Sequence, residues 1–109
     1  MAYDEGLAQR VREVFDGNTG VDENKMFGGL AFMVEGHMCV GVMGDELMVR
    51  VGPDQYEESL AQPDAREMDF TGRSMKGMVY VGIDGLDSDD GLRSWVDRGL
   101  AFVTTLPPK

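Results

Sequence analysis

An α+β fold, with helices laid on one side of a five-stranded antiparallel sheet in the order α-β-β-β-α-β-β-α, follows from three features of the sequence. Apolar residues recur at helical spacing near both ends of the chain, apolar and polar residues alternate through its middle, and glycine-centred turn signals separate the alternating runs. At 109 residues the chain is long enough for one hydrophobic core and too short for two ordinary domains, so residues 1–109 are read as a single domain.

Leu7, Val11, Val14 and Phe15 lie on one helical face, and Gly17-Asn18 follows as a stop, which predicts a helix over 3–16. From Gly29 to Val51 the period changes to two. "LAFMV", "HMCVGVM" and "ELMVRV" read as three strands of a meander, parted by Glu35-Gly36 and Gly44-Asp45. Pro53 suits the first turn of a short helix in which Tyr56 and Leu60 are four apart, and Pro63 ends it. "REMDF" and "MKGMVYVGI" read as the fourth and fifth strands, joined by Thr71-Gly72-Arg73-Ser74. Asp87 or Ser88 can cap a last helix with Asp89 and Asp90 in its first turn and Leu92, Trp95, Val96, Gly99, Leu100 and Val103 on its buried side. Pro107-Pro108 stops it.

Strict alternation gives this sheet two unlike faces. The core face collects Leu30, Phe32, Val34, Val40, Val42, Leu47, Val49, Val51, Phe70, Val79, Val81 and Ile83. The other collects Met33, His37, Cys39, Met43, Met48, Arg50, Glu67, Asp69, Lys76, Met78 and Tyr80, too polar for a core and too apolar for an ordinary solvated surface. Met33, Met43, Met48, Met78 and Tyr80 are therefore a candidate interaction face.

Composition narrows the function. Apolar residues make up 42% and charged residues 28%, as in a folded soluble chain. Twenty acidic against ten basic residues leave a formal charge of −10, and no cluster of Lys and Arg opposes it, so direct nucleic-acid binding is not expected. The lone Cys39 allows no internal disulfide, no signal segment opens the chain and the longest apolar run is Leu30 to Val34. A cytoplasmic protein without a membrane segment is expected.

No motif names a reaction. His37 and Cys39 at i, i+2 are two ligands where a zinc site takes three or four, so no metal is expected. "DGLDSDDG" (84–91) has its carboxylates out of register for a calcium loop and reads as a turn and helix cap. The glycine pairs form neither G-x-G-x-x-G nor a P-loop, no serine sits in G-x-S-x-G, and no catalytic residue or cofactor is expected. Asp69, Arg73 and Lys76 around the "TGRS" turn, with Arg50, form the one polar constellation of note. It serves either as a carboxylate tying down a turn or as a contact for an anion or a partner.

"KMFGGLAFM" (25–33), "RVG" (50–52), "MDFTGR" with "MKG" (68–77) and "AFVTTLPPK" (101–109) together resemble the N-terminal domain of the TfoX/Sxy competence-regulator family, in the right order and across nearly the whole chain. The resemblance implies a two-layer α/β fold like that of secretion chaperones and a bacterial regulatory context. In it, longer relatives with a second, helical domain co-activate DNA-uptake genes beside a cyclic-AMP receptor protein; this chain corresponds to the stand-alone N-terminal domain. It implies no catalytic residues. The sequence is accordingly read as a non-enzymatic interaction or regulatory module that binds a protein partner or itself. The alternative is a small-molecule or anion-binding protein or enzyme using Arg50, Arg73 and Lys76.

Overall fold

The carboxylate of Asp4 accepts the Leu7 amide at 3.1 Å, which satisfies one of the free donors at the start of helix α1 (Glu5–Val14). The helix begins later than its apolar pattern suggests because Tyr3 is held extended in a bridge to Gly44. The structure, a computed structural model, describes residues 3–17, 20–26, 28–70 and 73–107; for Met26 and residues 68–70 and 73–76 it describes the backbone alone. α1 buries Leu7, Ala8 and Val11, and the Phe15 ring that follows stacks on Phe32 with centroids 5.7 Å apart.

Four strands succeed it as an antiparallel meander: β1 (Val21–Met26), β2 (Gly29–Val34), β3 (His37–Met43) and β4 (Glu46–Arg50). β2 and β3 join through Glu35 and Gly36 at φ 51° and 85°. Positive φ at both positions is what a two-residue hairpin between right-twisted strands requires. The chain then makes a short 3-10 turn (Pro53–Gln55) and helix α2 (Tyr56–Leu60), and returns through β5 (Ala65–Phe70) and β6 (Arg73–Val81). Helix α3 (Ile83–Leu86) and helix α4 (Asp89–Val103) complete it, the latter capped by Ser88, whose hydroxyl accepts the Gly91 amide at 2.9 Å. No helix among the described residues is long and apolar enough to cross a membrane.

The sheet has six strands, in the order β1-β2-β3-β4-β6-β5, and not the expected five. The additional strand is β1, "VDENKM", which pairs with β2 from Val21↔Val34 to Met26↔Gly29. Its polar run shows no alternation because it is an edge strand, tied to α1 by an Arg12–Glu23 ion pair at 2.6 Å. This pair holds the Glu23 carboxyl below its usual range. The fifth strand as read also ends early. Gly82 donates its amide to the Asp64 carbonyl at 2.9 Å, the chain bends into α3, and Ile83 emerges 59% exposed where a core position was expected.

A bulge in the β2–β3 ladder corrects a second expectation. Phe32 pairs with Val40 but Met33 pairs with Met38, so Cys39 is an extra residue. His37 and Cys39 thereby move to the helix side, and Met38 takes the opposite face. Glu67 shifts likewise: it pairs with Val79, a core-side residue, and leaves Arg66 opposite Tyr80.

The helices cover the side of the sheet bearing Phe32, Val40, Leu47, Val49, Val79 and Val81, all at most 1% exposed. Burying each such side chain contributes about 1.5–3 kcal/mol. α4 makes the closest approach. A Cβ on Gly99 would stand 2.9 Å from Cys39 Sγ and 3.0 Å from the Cys39 carbonyl oxygen, so helix and bulge meet with no room for a side chain. Gly99→Leu is therefore expected to destabilise the fold by about 1–3 kcal/mol through overpacking, seen as a melting point several degrees lower. An unchanged melting point would mean that α4 does not seat here.

Beneath α4 the Cys39 thiol is fully buried, and desolvation pushes its pKa from 9.0 up to about 12, opposed in part by Arg50. The native thiol is expected to resist a thiol reagent at pH 8 that modifies it readily in urea. The folded thiol keeps a proton that the unfolded chain has lost, so stability declines as pH rises from 9.0 toward about 12. Cys39→Ala should flatten that decline, as measured by melting across the interval; an identical slope would contradict the assignment.

Candidate functional site

The sheet face opposite the helices is built from small residues overlaid by methionines. Gly29, Ala31 and Gly41 lie on it in register, Ala31 opposite Gly41. A Cβ on Gly41 would come within 2.6 Å of Met48 Cε, and one on Gly29 would collide with Met43 Sδ, so both methionines lie flat across the strands. Met48 and Met78 are 3% and 9% exposed and form a second, smaller apolar cluster, with Met38, Met43 and Tyr80 half-buried against it. Met43, Met48, Met78 and Tyr80 are thus brought together. Met33 stands half-buried beside them, opposite Met38. Met38 is the member that alternation missed, since only the bulge turns it to this face.

Tyr80 lies under the Arg66 guanidinium, 4.6 Å from its ring centroid, and Arg66 in turn pairs with Glu46. Burial raises the Tyr80 hydroxyl pKa, partly offset by Arg66. His37 is not on this face. Its Nε2–H donates to the Pro107 carbonyl at 2.6 Å and fastens the segment after α4 to the start of β3.

At the end of β4 the face runs into a cleft of about 340 Å³. Met38 and Met78 form one wall, and Gly52, Pro53 and Gly77 line it further. The remaining wall is Phe102, from the last turn of α4, whose ring lies so close to Gly52 that a Cβ there would collide with it. Gly52 at φ 83° is a position where only glycine is unstrained. Arg50 stands at the mouth with its guanidinium 5.3 Å from the Phe102 ring centroid. The Val51 and Gly52 amides both donate to the Gly77 carbonyl, at 2.8 and 3.0 Å, so these two are already occupied.

Of the polar constellation read from the sequence, Arg50 is the part that the structure places in this cleft. The side chains of Asp69, Arg73 and Lys76, and all of Thr71 and Gly72, lie outside the described residues. The backbone pairs Phe70 with Arg73, and Arg50 with Met78 five residues further along β6, beyond the ladder irregularity between Glu67 and Asp69. Phe102 and Pro53 are cleft residues that the sequence did not offer as site candidates, although three of the quoted strings meet here: "RVG" carries Arg50 and Gly52, "MKG" carries Gly77 and "AFVTTLPPK" carries Phe102.

Among the described residues no three His, Cys, Asp or Glu side chains converge as a metal ion requires. No curated protein matches the sequence. The family model described as the TfoX N-terminal domain matches residues 13–103, from the end of α1 to the last residue of α4 and hence all six strands. With most of its length matched, the chain belongs to the TfoX N-terminal domain family.

Proposed function

We propose that this domain is a TfoX-like transcriptional co-regulatory module that works by binding a protein partner across its methionine face, without chemistry of its own and without gripping DNA. The observation that carries the reading is the asymmetry of the sheet: one face lies under α1, α2 and α4, while the other presents Met33, Met38, Met43 and Tyr80 half-buried. Methionine is flexible and polarizable, and several together can repack around an incoming surface. The partner is an apolar surface rimmed by basic residues. A formal charge of −10 attracts such a rim and disfavours a second copy of this chain. The likeness to secretion chaperones that the family resemblance implies also accords with binding over catalysis.

Met43→Glu is the decisive substitution, because Met43 is half-exposed and tolerates a charge at its tip. It is expected to leave the melting point within a few degrees of wild type and to remove the proteins that the wild-type domain retains from native extract at low salt. Retention of every one of those proteins, or a wild-type domain that dimerises by light scattering, would overturn the reading. Met78→Glu, by contrast, puts a carboxylate at a position 9% exposed and is expected to unfold the domain.

Random duplex DNA should bind no more tightly than the weak nonspecific range, about 10⁻⁴–10⁻⁶ M at physiological salt, because an acidic chain gains little from counterion release. Fluorescence anisotropy checks this, and nanomolar affinity would contradict it.

A further inference from the structure

We propose that the cleft beside Arg50 binds a small organic acid: a flat or linear apolar body ending in a single carboxylate. It does not rest on the partner reading above: the cleft at the end of β4 shares Met38 and Met78 with the methionine face, but Arg50, Gly52, Pro53, Gly77 and Phe102 belong to the cleft alone.

Among the described residues three arginines hold the guanidinium carbon over an aromatic ring: Arg66 over Tyr80, Arg98 over Trp95 and Arg50 over Phe102, at 4.6, 5.0 and 5.3 Å from the ring centroid. Two of them have their in-plane donors engaged. Arg66 pairs with Glu46, and Arg98 reaches Glu58 at 3.4 Å and the Ser59 hydroxyl at 3.1 Å. Among the described residues Arg50 has no such acceptor. Its guanidinium carbon lies over the Phe102 ring, and a guanidinium without an acceptor can meet a carboxylate through two parallel hydrogen bonds.

The rest of the cleft defines the remainder of the ligand. Met38, Met78, Pro53 and the Phe102 ring are apolar, and the cleft volume of about 340 Å³ falls within the range of ligand sites. The nearby Val51 and Gly52 amides, already bonded to Gly77, offer no nest for a phosphate. A bare anion is further opposed by the field of a chain with charge −10. The acid that fits therefore gains most of its affinity from its apolar body and uses the carboxylate to set its orientation.

Naphthalene-2-carboxylate, its neutral carboxamide and inorganic phosphate are suitable probes, followed by NMR of the methionine methyls and glycine amides in the full chain. The carboxylate is expected to shift Met38, Met78, Gly52 and Gly77 saturably, with the carboxamide at least about tenfold weaker and phosphate without effect, as for loss of one charge-assisted pair. Arg50→Gln, with an unchanged melting point, should lower carboxylate affinity by the same factor and leave carboxamide affinity alone. Equal binding of carboxylate and carboxamide to the wild-type chain would overturn the proposal, even if Arg50→Gln failed to fold. So would saturable phosphate binding, carboxylate shifts confined to other residues, or no saturable shift at millimolar probe.

Discussion

The seating of α4 on the bulge of β3 governs both sides of this molecule. The extra residue Cys39 swells the strand where Gly99 lets the helix come closest, so the bulge and the missing side chain are complementary halves of one contact. The same bulge rotates Met38 out of the helix layer and onto the opposite face. Core and methionine cluster are thus two products of a single local insertion. Without it, strict alternation would put Cys39 on the open face, where the mouth of the cleft would lose Met38.

Much of this was legible in the residues. Helical spacing located α1 and α4, and Ser88 and the acids after it marked where α4 starts. Period-two alternation found β2, β3 and β4, because each has one wholly buried face that selects Val, Leu and Phe at every second position. What failed, failed for lack of such a face. β1 packs little apolar surface and so carries no period, and Ile83 looked like strand because hydrophobicity alone does not report the bend at Gly82. The faces of His37, Cys39 and Glu67 were misjudged at the two ladder irregularities, since a bulge leaves no mark in composition.

The candidate site was legible only in part, for a related reason. Met43, Met48, Met78 and Tyr80 share a face through pairing across adjacent strands, which alternation and strand order can supply. The cleft instead joins the end of β4 to the last turn of α4, about fifty residues apart in sequence, and no periodic signal relates Arg50 to Phe102. Gly52 was the visible trace: it stands where a ring from another element presses against the backbone, and the cost of any other residue there is steric.

The unpatterned strand has one more effect. β1 is an outer strand of the sheet, with backbone groups along its free side that could recruit a strand from another molecule. Asp22, Glu23, Asn24 and Lys25 are all exposed along it. An incoming strand would have to set its own side chains beside this charged row and give up their hydration. The polarity that hid β1 from any search for alternation is also what sets a barrier to strand addition along that edge.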